Sequence, residues 1–286
     1  MNRIVDLHTH TYYSDGTLSP TELVRKAKNK GLAGLAITDH DTTAGVPEGI
    51  EAGQQYGVEV IPGVEISAIY DHGTLHILGY FIDINNSELQ ANLKEYINAR
   101  NRRNPLILQK LNDLGYPMSM EEVEELAGGE VVNRPHIAQA MVNRGYVQTK
   151  KEAFDRFIAH GGIAYVPKEV FSPEQAIDII HNAGGVAVIA HPDQLGHPEL
   201  SLTLTELRKL AEYGVDGIEA YHGECHPDHC DPYAHLAREL GLFVTGGSDF
   251  HGDMKHQDLG TISGRTSIPY EYVKEMQIVS QKYRNR

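Results

Sequence analysis

Residues 4–41 open on Ile4-Val5-Asp6-Leu7-His8-Thr9-His10 and close on Gly34-Leu35-Ala36-Ile37-Thr38-Asp39-His40-Asp41, two apolar runs that each end among histidines and carboxylates. Between them Ser19-Pro20 supplies an N-cap and a first-turn proline, and Gly31 a stop, which predicts a helix over residues 20–30. Strand, helix, strand is a βαβ unit, and its two strands run parallel. The rhythm continues with a helix over 47–56 and a strand over 58–66. It returns in the rear third, where helices over 173–182, 204–213 and 233–240 precede strands over 186–190, 217–220 and 243–246. An α/β fold on parallel strands is the expectation.

Residues 93–167 differ, being rich in Glu, Lys, Arg, Asn and Leu at helical spacing and poor in β-branched runs. They read as a helical insertion, a lid, within a discontinuous catalytic unit of residues 1–92 and 168–286. Leu106, Leu108, Leu111 and Leu114 predict one amphipathic stripe, and further helices are expected over 120–126, 134–143 and 150–160.

The chain has 286 residues, 41% of them hydrophobic, which is enough for a large core. No apolar run approaches a membrane span, and residues 1–6 lead straight into a strand. Two cysteines, Cys225 and Cys230, cannot staple such a chain, so a cytoplasmic protein is expected. A formal charge of −14 argues against stable duplex DNA binding, which needs a basic face. Sixteen histidines beside that acidic balance are what a multinuclear metal site would require.

Their placement sharpens the point. His8 and His10, two apart at a strand end, project to one side, and Asp15 follows in the Ser14-Asp15-Gly16 turn. His40 ends the second strand and Glu65 the third; His76 lies in a strand-like run over 72–79. His191 follows the buried run Val186-Ala187-Val188-Ile189-Ala190, and Asp249 and His251 form another same-side pair. Any one of these is as well explained by a surface or core residue. Recurrence at six strand ends is not, because parallel barrels gather their active sites where the strands run out. Cys225-His226-Pro227-Asp228-His229-Cys230 reads instead as a surface loop, since a structural zinc takes two separated ligand pairs.

These motifs resemble the polymerase and histidinol phosphatase (PHP) superfamily of metal-dependent phosphoesterases: residues 6–10, 14–16, 38–41, 190–192 and 248–252, with Glu65 and His76. The resemblance implies a distorted (β/α)7 barrel with a helical insertion and a trinuclear metal site. His8, His10, Glu65 and Asp249 would serve one ion; Glu65, His76 and His191 a second; Asp15, His40 and His251 a third. Mixed imidazole and carboxylate donors suit Mn²⁺ first, then Fe²⁺ or Zn²⁺. Asn133-Arg134-Pro135-His136 and the size of the insertion look like the branch that acts on nucleoside 3′,5′-bisphosphates and the 5′ ends of short RNA. Arg134 would then bind substrate phosphate, with Lys168 and His222 as further contacts, while Glu65, His191 and Asp249 carry the catalysis. The alternatives are a histidinol phosphate phosphatase on the same cage, an amidohydrolase sharing the His-x-His strand end, and a non-catalytic metal-binding or polymerase-accessory module.

Overall fold

In a computed structural model describing residues 3–70, 74–127, 132–167, 171–263 and 268–284, β1 (Ile4–Asp6) and β2 (Gly34–Ile37) pair in parallel, with Val5 opposite Gly34. The crossover is α1 (Pro20–Asn29), which starts on a full capping box between Ser19 and Glu22. Then α2 (Val46–Tyr56), ended by left-handed Gly57, returns the chain to β3 (Glu59–Ala68), parallel to β2.

The next strand departs from the expected parallel order. β4 (Leu75–Tyr80) runs antiparallel to β3, with His76 opposite Ser67. The physical reason is the connection: residues 69–74 are too few for a crossover helix. The start of β4 therefore meets the end of β3, and His76 reaches the same rim as the residues that end the parallel strands.

Four helices follow, α3 (Ser87–Asp113), α4 (Met120–Ala127), α5 (Arg134–Asn143) and α6 (Lys150–Ala153). After them come α7 (Pro173–Asn182), β5 (Val186–Ile189), α8 (Leu200–Ala211), β6 (Gly217–His222), α9 (Pro227–Glu239) and β7 (Phe243–Gly247). β5 is antiparallel to β4, and β5, β6 and β7 are mutually parallel. Leu7 N–H donates to Gly246 O at 3.3 Å and Asp249 N–H to His8 O at 3.0 Å, which brings the β7 end against β1 and nearly closes a seven-strand barrel. β8 (Ile268–Pro269) adds a short antiparallel strand on β1 before α10 (Glu271–Arg284).

One core gathers most of the barrel strands with α7, α8, α9 and α10, including Leu7, Val64, Ile77, Val188 and Ile218, beside a smaller cluster of Leu23, Leu35, Ile37 and Ala52 where α1 and α2 pack on β2. A second gathers Ile107, Leu111, Val123, Ile137, Met141 and Phe157 in the segment between β4 and α7. α3 joins the two. Leu89, Leu93 and Tyr96 enter the first, Ile107, Leu108 and Leu111 the second, and buried Arg100, Arg103 and Asn104 lie between. This continuous stripe corrects the predicted one: Leu106 points to solvent, at 50% exposure, because it lies off the 3.6-residue line through Tyr96, Arg100 and Ile107, and Leu114, at 45%, because it is the C-cap residue just past the last turn of α3.

Two further expectations change. The helix expected over 150–160 is α6 followed by a π turn, Phe154–Ile158. The Cys225–Cys230 segment is not a surface loop: it forms the start of α9, with His226 as its N-cap and both thiols buried. Among the described residues no helix is long and apolar enough to cross a membrane.

Candidate metal centre

Glu65 sits near the end of β3, fully buried, and both its oxygens meet imidazoles. Oε2 lies 3.2 Å from His8 Nε2, 3.2 Å from His10 Nε2 and 3.0 Å from His40 Nδ1. Oε1 lies 2.8 Å from His76 Nδ1 and 2.9 Å from His191 Nε2. Asp249 completes the first group, its Oδ1 3.4 Å from His8 Nε2 and 3.2 Å from His10 Nε2. Donors that share one cation at roughly 2.0–2.2 Å stand roughly 3–3.4 Å apart, so both groups have the spacing of ligand shells.

A third group is looser. His251 Nε2 is 3.3 Å from Asp15 Oδ1, whereas His40 Nε2 and His10 Nδ1 are each 3.8 Å from Asp15. His40 thus stands between Glu65 Oε2 and the third group, closer to Glu65 than to Asp15. All nine residues expected to hold metal converge on this rim, eight of them in overlapping sets of histidines and carboxylates that could each bind an ion, with His191 joined through Glu65.

The chemistry of the set suits cations. His8 Nε2 and His10 Nε2 are 3.1 Å apart, and His76 Nδ1 and His191 Nε2 3.2 Å. Two neutral imidazoles so placed oppose their lone pairs unless a proton or a metal lies between. Asp15 Oδ1 and His40 Nδ1 are buried with no hydrogen-bond partner, a cost of about 1–3 kcal/mol each that coordination would remove. Burial opposes a proton on His8, yet Glu219, Glu65 and Asp249 hold it well above the ordinary imidazole range. Burial likewise opposes His10, which hydrogen bonds to Asp249 and Glu65 raise to about 9. Burial pushes Glu65 up, but His40, His76 and His8 more than offset it and leave the carboxylate well below its usual range. The potential that holds those protons draws divalent ions in the same way. The residues present fit a multinuclear site.

An outer ring fixes the donors. Asp39 accepts from Thr11 N–H, Thr11 Oγ1 and Ser14 Oγ, all at 2.7 Å, which sets the turn that carries Asp15. Lys255 pairs with Asp249 Oδ2, and His222 Nε2 faces the same oxygen at 3.3 Å. Asp41, His191 and Asp249 follow β2, β5 and β7 with φ of 56°, 27° and 55°, a left-handed backbone that non-glycine residues hold only under constraint.

Of the expected substrate contacts, His222 is buried beneath the ligands and turned towards Asp249, away from any solvent-facing role. Arg134 is half-buried at the start of α5 and donates from Nη1 to Ile158 O at 3.2 Å, the carbonyl at the end of the π turn. Lys168 lies outside the described residues. Three residues were not anticipated. Arg100 binds Asp41 and Asn133, linking the barrel rim to α5. Arg103 lies beside it, lowered to about 9 by burial and then by Arg134 and Arg100. Glu219 touches His8. Glu219 had a signal, a lone carboxylate in the apolar run Gly217-Ile218-Glu219-Ala220. The arginines had one too, since they fall on the buried stripe of α3.

The chain matches the PHP domain over residues 6–216. It is 37% identical over 263 residues to the 5′-3′ exoribonuclease Rnm of Escherichia coli K12, spanning 90% of this chain and 88% of that protein. It is 34% identical over 258 residues to the 3′,5′-nucleoside bisphosphate phosphatase of Chromobacterium violaceum, spanning 86% and 87%. A solved Bifidobacterium adolescentis structure described as a metal-dependent phosphoesterase superposes with a TM-score of 0.84 at 32% identity, over 96% of each chain. The chain belongs to the PHP domain family.

Proposed function

We propose that this hydrolytic phosphoesterase removes the 3′-phosphate of nucleoside 3′,5′-bisphosphates, such as 3′-phosphoadenosine 5′-phosphate, and acts on the 5′ ends of short RNA. The observation that carries the reading is the juxtaposition of two features of opposite charge preference: a cage suited to cations at the barrel rim, and guanidinium groups on α3 and α5 tied to it through Arg100 and Asp41. A simple phosphate monoester occupies only the first. A substrate with two phosphates, or a phosphate and a phosphodiester, occupies both. The relatives named above, which act on RNA ends and on nucleoside bisphosphates, support the same class.

Divalent ions, Mn²⁺ before Fe²⁺ or Zn²⁺, would supply the nucleophile and neutralise the charge that builds on the transferred phosphoryl group. Around them the chain does the positioning. Glu65 offers one oxygen to each of two donor groups, Asp249 and His191 complete those groups, and Asp15, His40 and His251 hold a third. Arg134 meets the second phosphate, for which its planar fork suits two oxygens. The helical segment 93–167 acts as a lid that admits small nucleotides and single-stranded ends but no duplex, and the −14 charge keeps polyanions off the remaining surface. We further propose that the enzyme acts in the cytoplasm, a reading its two cysteines support.

The test is a substrate panel with Mn²⁺: 3′-phosphoadenosine 5′-phosphate, a 5′-phosphorylated RNA dinucleotide, AMP, histidinol phosphate and blunt double-stranded DNA. The bisphosphate or the dinucleotide should turn over at least about tenfold faster in kcat/KM than the rest. Histidinol phosphate in the lead would transfer the proposal to that activity. Duplex DNA in the lead would favour a polymerase-associated nuclease, and metal binding with no turnover at all a non-catalytic module.

A further inference from the structure

Glu219 is a charged side chain inside β6, fully buried, and it commits one oxygen to each of two donor groups. Its Oε1 lies 2.9 Å from His8 Nδ1, and its Oε2 accepts the backbone N–H of His191 at 2.8 Å. His8 belongs to the group on Glu65 Oε2, His191 to the group on Glu65 Oε1. We propose that Glu219 is a positioning residue that couples these two donor groups, fixing the His8 tautomer with one oxygen and the strained His191 peptide with the other. The proposal rests on the metal-binding reading of the rim and is independent of which phosphoester is cleaved.

The tautomer follows from donor and acceptor chemistry. A carboxylate oxygen only accepts, so a neutral His8 must carry its proton on Nδ1, which leaves the Nε2 lone pair facing His10, Glu65 and Asp249. With the proton on Nε2 instead, an N–H would point into the donor group and block it. The peptide follows from backbone geometry. His191 has φ of 27°, and such a conformation persists only where its surroundings over-determine it. A charge-assisted bond from its N–H to Glu219 is such a constraint, and it aims the ring at Glu65 Oε1.

His8, Glu219 and His222 also lie close enough to be read as a separate cation site. Their bonding opposes that. The second oxygen of Glu219 is committed to His191, His222 Nδ1 accepts the N–H of Glu224 at 3.2 Å, and its Nε2 faces Asp249. Glu219 therefore acts on ions through His8 and His191.

The near-isosteric Glu219→Gln separates the possibilities. A glutamine has one carbonyl oxygen, so it can accept from His8 or from the His191 N–H but not from both. In the full-length protein loaded with diamagnetic Zn²⁺, imidazole ¹⁵N spectra should show His8 with a hydrogen-bonded Nδ1–H, and in Glu219→Gln either that hydrogen bond or the hydrogen-exchange protection of the His191 amide should be lost. In calorimetric Mn²⁺ titrations the two tighter sites should weaken together by about 10- to 100-fold, with the melting curve still cooperative. Glu219→Asp keeps the charge but shortens the reach, and should weaken both sites as well. Wild-type Mn²⁺ affinity in Glu219→Gln, or in Glu219→Asp, overturns the proposal, as does a fall in melting temperature with unchanged affinity. His8→Ala is the control: if it too binds Mn²⁺ like wild type, the metal reading itself fails, whereas normal loss in His8→Ala beside an unaffected Glu219→Gln sinks only the role of Glu219.

Discussion

The barrel rim and the helical segment above it carry opposite electrostatic deficits. At the rim, Asp15, Glu65, Glu219 and Asp249 crowd among imidazoles, and Lys255 is the lysine that reaches them. On α3 and α5, Arg100, Arg103 and Arg134 crowd together, and Asp41 is the carboxylate that binds Arg100. Among the described residues no salt bridge neutralises Arg103 or Arg134. Each region is incomplete in the currency of charge: the rim lacks cations and the helices lack an anion. Under the proposed function, a phosphorylated substrate bound to metal would answer both at once and make one site of two regions that belong to different cores.

The comparison breaks most visibly at Glu65. Glu65→Ala removes the residue common to two donor groups, and turnover should fall at least about 10³-fold, roughly 4 kcal/mol of transition-state stabilisation, with the circular dichroism spectrum retained. Near wild-type rates with added metal would separate the rim from catalysis. Stability is sensitive elsewhere. Leu111→Ala opens a cavity in the second core and should cost about 2–5 kcal/mol in denaturant unfolding, while metal binding to intact protein is unchanged. Equal loss of both would mean that the two regions do not separate.

Arg134→Ala sharpens the contrast. Losing one charge-assisted contact should raise KM for the bisphosphate by about 10- to 100-fold, about 1.5–3 kcal/mol, with little effect on kcat or on an arylphosphate. A uniform loss across substrates would place Arg134 with the rim. Leu106→Gln is the smallest change. On an exposed position it should move stability by no more than about 0.5 kcal/mol, and a larger loss would restore Leu106 to the buried stripe.

Legibility in the sequence follows the same division. The convergence at the rim was readable because its candidate ligands fall at strand ends, where apolar runs stop abruptly at His8, His40, Glu65 and His191, and that punctuation survives without any knowledge of pairing. Strand direction was not readable: an apolar run containing His76 looks alike whichever way it runs, and only the length of the connection decides. The helical segment was legible as helices but not in its facing. The leucines at 106 and 114 mimic a stripe, while the true one passes through Arg100, Arg103 and Asn104, buried polar residues that hydrophobic periodicity excludes. Glu219 was passed over although a lone carboxylate in an apolar strand run marks it, since that mark does not say which partners the charge serves.

α3 has a consequence for exchanging parts between relatives. Its 27 residues, about 40 Å of helix, run unbroken in register through both cores, with Pro105 inside. A chimera joined at residue 93 would cut the helix between Leu89 and Tyr96, severing a rod whose two ends are set in different foundations. A donor's segment would arrive rotated by about 100° for each residue of length mismatch, swinging Arg100 off Asp41 before any new side chain could reach a ligand. Transplants should therefore take α3 whole, from Ser87, so that the angle between the two parts travels with the graft.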